Sequence, residues 1–153
     1  MLLESKTFST IFLASDHAGF ELKNSLVKFL QANGINTQDL GANSAQRVDY
    51  PDYAFALTQK VKETSRACGI LVCGSGIGMS IAANRVEGIR AALCSESLSA
   101  KLARAHNDAN VLCLGGRLIG ETMAQEIVEA FLNAEFEGER HSKRVKKLDS
   151  QIL

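Results

Sequence analysis

The stretch Gly69-Ile70-Leu71-Val72-Cys73-Gly74-Ser75-Gly76-Ile77-Gly78 decides the fold. Its first half is a short aliphatic run bounded by turn residues, which reads as a strand buried on both faces. Its second half breaks that run with glycines at alternate positions, and Ile77 to Val86 then takes up helical spacing. A buried strand that turns through glycines into a helix is the opening of a parallel crossover.

The same alternation extends in both directions. Toward the N-terminus, Ala54, Leu57 and Val61 mark the inner face of a helix whose outer face carries Lys60, Lys62 and Glu63. Pro51 opens it, where a missing amide costs little. Further back, runs at Thr10 to Ala14 and Ile35 to Leu40 read as strands around a helix with Phe20, Leu22, Leu26, Phe29 and Leu30 on one face. Toward the C-terminus, strands at Arg90 to Cys94 and Asn110 to Leu114 alternate with helices at Ser97 to Ala105 and Glu121 to Leu132. The pattern predicts an α/β, doubly wound, three-layer sandwich with a five-stranded parallel sheet, in one domain spanning 1–153. Residues 1–10 form a short N-terminal extension. Residues 139–153 form a basic helix or tail whose weak apolar stripe, Val145 and Leu148, suits docking on a partner subunit.

Composition narrows the function classes. The 153 residues carry 17 basic and 17 acidic side chains and no Trp, so no basic field is available for a nucleic acid and no aromatic belt for a membrane. Apolar runs fall far short of the ~20 residues of a membrane span, and Glu4 and Lys6 interrupt any secretory pattern, so a cytoplasmic address is expected. Four cysteines without metal-ligand spacing predict reduced thiols and no disulfides, and neither a metal nor a cofactor is expected.

In open parallel sheets, ligands sit outside the carboxyl ends of the strands. Three strand exits are rich in polar residues and glycine: Ser15-Asp16-His17-Ala18-Gly19, the Cys73 to Gly78 run, and Gly115-Gly116-Arg117. The glycine run, with the amides of the helix that follows, can form an anion-binding nest suited to a phosphate or an oxyanion. A dinucleotide site fits less well. Glu96 lies where a ribose-binding acid would be sought, yet Met79 replaces the last glycine of that fingerprint and the run follows the third strand rather than the first.

Cys73 sits at the rim of the nest, where helix amides favour a thiolate able to act as a base or nucleophile. Cys68, Cys94 and Cys113 read as small core residues. His106 taken alone suits the C-terminal end of a helix, Asp16 suits a helix cap, and the basic tail suits a solvated face. Together, an acid, a base, an oxyanion nest and a cationic tail make a set that phosphorylated-sugar chemistry would use.

Ser15-Asp16-His17-Ala18-Gly19-Phe20, Asp49-Tyr50-Pro51, the Cys73 to Gly78 run, Ser80 to Asn84, His106-Asn107-Asp108-Ala109-Asn110 and Arg140-His141 with Arg144 resemble the ribose-5-phosphate isomerase B family. The resemblance runs from Ile11 to about Leu148. It implies a Rossmann-like homodimer that can pair into a homotetramer. It also implies metal-free interconversion of ribose 5-phosphate and ribulose 5-phosphate in the non-oxidative pentose phosphate pathway. By resemblance His106 opens the sugar ring while Asp16, Ser75 and Asn107 position its oxygens, and Cys73 is the base for the enediolate step.

On the same footing, the amides of Gly74, Gly76, Ile77 and Gly78 form the oxyanion hole, and Tyr50 closes the pocket. Arg140 and Arg144 hold the phosphate with help from Arg117, His17 and His141. One branch of the family uses a glutamate just after the glycine run; Met79 stands there, which places the chain in the cysteine branch. The resemblance further implies a site shared between subunits, Cys73 and Asp16 meeting the other chain's His106, Arg140 and Arg144. A six-carbon substrate, allose 6-phosphate or galactose 6-phosphate, and a phosphate- or nucleotide-binding module without turnover stay open as alternatives.

Overall fold

A computed structural model describes residues 3–151. Met1 and Leu2 of the N-terminal extension, and Ile152 and Leu153 of the tail, lie outside the described residues. The elements run β1 (Thr10–Ser15), α1 (Phe20–Ala32), β2 (Thr37–Asp39), α2 (Tyr50–Glu63), β3 (Ala67–Cys73), α3 (Ile77–Ala83), β4 (Ala91–Leu93), α4 (Ser97–Asn107), β5 (Val111–Gly115), α5 (Glu121–Asn133) and α6 (Arg140–Ser150). All strand pairs are parallel, in the order β2-β1-β3-β5-β4.

Strand periodicity divides the core into two layers. Ile11, Leu13, Cys68, Ile70, Val72, Leu112 and Leu114 point to the side covered by α1, α4 and α5. Their neighbours Phe12, Ala14, Ala67, Leu71, Cys73, Val111 and Cys113 point to the side covered by α2 and α3. Such continuous burial is what a parallel sheet covered on both faces demands.

Both edge strands are shorter than the sequence pattern suggests, β2 covering Thr37–Asp39 and β4 Ala91–Leu93. Each has a partner on one side only, so its ends leave the ladder early. The helix after the glycine run likewise stops at Ala83 rather than Val86. There Asn84 turns its amide to β4, donating to the Ala91 carbonyl at 2.9 Å and accepting from the Ala91 amide at 2.8 Å.

Two charged side chains that carry no signal in the sequence, Lys23 and Arg104, are buried. Lys23 donates to the Asp39 carboxylate at 2.9 Å and to the Ala42 carbonyl at 2.7 Å, tying α1 to the end of β2. Arg104 donates to Asp108 at 2.8 Å and to the Ala109 carbonyl at 2.6 Å, with its guanidinium 4.6 Å from the Phe8 ring centroid and 5.9 Å from that of Phe131. The N-terminal extension therefore has a structural role: Leu3 and Phe8 join the core, and the Phe8 ring stacks on Phe131.

Removing Arg104 strips the packing from two rings and leaves the buried Ala109 carbonyl without its donor. Arg104→Ala is expected to lower unfolding stability by ~3 kcal/mol, and Arg104→Met, which keeps the apolar stem, by less. Denaturant midpoints at constant m-value check this.

The basic C-terminal segment is a helix, as its sequence suggests, and one face of it packs on its own chain. His141 and Val145 of α6 are buried, and Asp149 accepts from Arg90 at 3.1 Å just before β4. Leu148 stays exposed. Among the described residues no helix is long and apolar enough to cross a membrane.

Candidate active site

The chain leaves β1 toward β2 on one side and reaches β3 on the other, so the crevice between the carboxyl ends of β1 and β3 is a switch point of the sheet. The Ser15-Asp16-His17 and Cys73-Gly74-Ser75 exits flank it. Asp16 is buried, and its Oδ1 accepts from the Gly19 amide at 3.0 Å, ahead of α1. His17 accepts at Nδ1 from the Val48 amide at 3.3 Å, which leaves Nε2 to carry a proton.

Cys73 is buried at the end of β3, and the Gly76 amide donates to its Sγ at 3.1 Å. The Ile77 amide donates to Ser75 Oγ at 3.2 Å, and α3 begins there, so its first amides face the crevice without intrahelical acceptors. Two of the glycines are required by this geometry. Gly76 adopts φ +78°, and a Cβ there would lie 2.9 Å from the Leu114 carbonyl carbon. At Gly78 a Cβ would lie 2.6 Å from the Tyr50 ring, so Tyr50 closes over the nest because this position has no side chain. Arg117, exposed after β5, reaches over Gly74 and forms no ion pair among the described residues.

The other cysteines are core residues. Burial pushes the Cys94 thiol up to about 11, with nearby Glu96 adding to the shift. Cys68 is raised further by burial, and Cys113 by burial and then by the neighbouring Cys73 sulfur. All four cysteines are free. Glu96 is the N-cap of α4: its carboxylate accepts from the Ser99 amide at 3.0 Å, and hydrogen bonds from Ser99 hold it below the usual carboxylate range. It is thereby committed to the helix rather than to a ribose.

A second cluster lies at the opposite edge of the sheet. His106 and Asn107 end α4, and the chain then enters β5 at its amino end, beside Gly69. Cys73 pairs with Gly115 at the other end of that strand, so the length of β5, roughly 15 Å, separates the two clusters. His106 stacks on His141, their ring centroids 4.4 Å apart. His141 is buried behind it rather than lying on the surface with Arg140 and Arg144, and burial followed by the Arg140 charge lowers its pKa, which favours neutral imidazole.

Glu137, which the sequence pattern does not single out, lies 3.9 Å from His106 Nε2, 3.7 Å from His141 Nε2 and 4.0 Å from the Arg140 guanidinium. The absence of metal-ligand spacing along the sequence therefore does not carry over to space: the segment before α6 brings Glu137 to the end of α4, its amide donating to the Ala105 carbonyl at 3.0 Å, and α6 brings His141. The structure thus unites Asp16, His17, Tyr50, Arg117 and Cys73 to Gly78 at one edge. It unites His106, Asn107, Arg140, His141 and Arg144 at the other.

Residues 11–148 match the family model described as Ribose/Galactose Isomerase. The chain belongs to the ribose/galactose isomerase family. Among its relatives is the ribose-5-phosphate isomerase B of Escherichia coli, 46% identical over 90% of this chain and 93% of that one. The solved ribose 5-phosphate isomerase of Thermotoga maritima superposes with a TM-score of 0.91 at 51% identity, covering 93% of this chain and 98% of that one. The Mycoplasma genitalium ribose-5-phosphate isomerase B, solved with bound ribulose-5-phosphate, superposes at 0.88 with 43% identity over 92% of this chain and 94% of that one. The five-stranded parallel sheet and the order of its elements are those of this isomerase family.

Proposed function

We propose that this chain is an aldose–ketose isomerase, a single domain that interconverts D-ribose 5-phosphate and D-ribulose 5-phosphate without a metal. The observation that carries the reading is Cys73 at the switch point, its sulfur accepting from Gly76 at the rim of a glycine nest. An aldose must first open its ring, which needs one proton delivered to the ring oxygen and another taken from the anomeric hydroxyl. His106 performs this step, with Asp16, Ser75 and Asn107 holding sugar hydroxyls and His141 supporting His106 from behind.

Isomerisation then moves a proton between C2 and C1 through an enediolate, so one base must reach both carbons. The Cys73 thiolate takes the proton from one carbon and returns it to the other. The amides of Gly74 to Gly78 hold the negative oxygen that develops between these events. Arg117, with Arg140 and Arg144, gives fork-like contacts to the phosphate, and His17 Nε2 adds a donor.

These roles require two chains. Residues at opposite edges of one sheet meet only if a partner's His106 and α6 arginines approach the crevice. An exposed apolar face supports such a homodimer: Ile77 and Ile81 on α3, Leu93 on β4, and Leu98 and Leu102 on α4 flank the same sheet edge. Leu93 borders the nest itself, since its Cδ1 would lie 2.5 Å from a Cβ at Gly76. An interface across this edge runs beside the active crevice, and two-fold symmetry makes two equivalent sites.

Ketose formation from ribose 5-phosphate by the purified chain in the presence of a chelator tests the reading. Sustained turnover is expected. Loss of turnover on chelation, restored by adding a divalent ion, would contradict the metal-free mechanism.

A further inference from the structure

The mechanism above uses His106 but leaves Glu137 without a part and a ring nitrogen of His141 without a hydrogen-bond partner. His141 Nε2 is buried and has no hydrogen-bond partner, its side chain being only 8% exposed. A buried polar nitrogen of this kind is costly unless something occupies its lone pair or takes its proton. The carboxylate oxygen Glu137 Oε1 is 3.7 Å away, beyond hydrogen-bond reach.

His106 Nε2 faces the other oxygen of the same carboxylate at 3.9 Å, and the ligand atoms of His106, Glu137 and His141 all lie within 4.8 Å of one another. We propose that His106, Glu137 and His141 form a binding site for a borderline divalent cation, zinc above all, which inhibits the enzyme by occupying His106.

The chemistry of the donors selects the ion. Two imidazoles and one carboxylate suit zinc, whereas magnesium and calcium call for oxygen ligands. Three protein ligands leave a fourth position for water. Tetrahedral zinc, with bonds of ~2.0–2.1 Å, needs donors ~3.4 Å apart, so the three atoms must converge by up to ~1.4 Å. The exposed members can supply that movement: His106 and Glu137 are 36% and 49% exposed, while His141 is fixed by burial. Arg140, 62% exposed and 4.0 Å from the Glu137 carboxylate, can swing away. All three ligands come from one chain, so the site does not depend on the subunit arrangement. Only the inhibition rests on the isomerase reading, because a metal on Nε2 removes the lone pair that ring opening would use.

Zinc titrated into the metal-free full-length protein against a chromogenic chelator measures binding with no need for turnover. One zinc per chain is expected. Glu137→Gln and His141→Gln should each weaken binding by more than about tenfold, while Cys73→Ser, which removes the other candidate ligand, should leave it unchanged. In the wild type, ring-nitrogen NMR signals of His106 and His141 should shift with zinc while those of His17 stay in place, a readout that no variant's folding can confound. Zinc should also slow ribose 5-phosphate turnover, with full recovery on chelation.

Zinc left on the chelator by the wild type, binding lost in Cys73→Ser but kept in Glu137→Gln, or unmoved signals of His106 and His141 would each overturn the site. Binding without slowed turnover would overturn the inhibition. A protein that takes zinc but shows no isomerase activity without it would count against the isomerase reading and leave the metal site standing.

Discussion

Replacing Cys73 by alanine is expected to lower kcat for ribose 5-phosphate by ~10³-fold or more, with KM changed by less than about threefold. The size follows from the role. A base that carries the proton between C1 and C2 acts in the transition state, so its loss raises the barrier without loosening the grip on the phosphate. Sulfur is held for this task by position: β3 delivers Cys73 to the crevice, and the Gly76 amide points at Sγ. Arginine substitutions should show the opposite signature, Arg140→Ala and Arg144→Ala mainly raising KM. Cys113→Ala and Cys94→Ala remove thiols sealed in the core and should leave turnover nearly unchanged where the variant folds. Near-normal kcat in Cys73→Ala would make Cys73 one more core cysteine and leave the base unassigned.

The order of elements was legible because each strand is a continuous apolar run and each helix has one apolar face, patterns local to a few residues. The crevice was legible for the same reason. Asp16-His17 and Cys73 to Gly78 are contiguous motifs at strand exits, and the rule that ligands gather at carboxyl ends places them together. What escaped depends on contacts between distant segments. Lys23 and Arg104 look like surface charges until Asp39 closes on one, and Phe8 and Phe131 on the other.

Glu137 carries no local signal. Its meaning comes from the segment before α6, whose Glu137 amide is bonded to the Ala105 carbonyl of α4, and from α6, which sets His141 against His106. The lengths of β2 and β4 escaped because an edge strand ends where its single partner stops bonding, which composition does not encode. The seat of α6 on its own chain escaped in the same way: Val145 and His141 are buried where α6 packs on α4, a contact between distant segments.

The second large effect concerns the distance between the two clusters. Within one chain β5 separates Cys73 from His106, so the proposed mechanism needs a partner to complete each catalytic set. Cys73→Ala and His106→Ala homodimers should therefore both be nearly inactive, and mixing them should restore activity. In a mixed dimer one site collects both lesions while the other receives intact Cys73 from one chain and intact His106 from its partner. Equal amounts re-pairing at random make about half the dimers mixed, each with one sound site, so about a quarter of wild-type activity should return. Differently tagged chains show when exchange is complete. Recovery near a quarter is the result expected of a site shared between subunits; no recovery after verified exchange would contradict it.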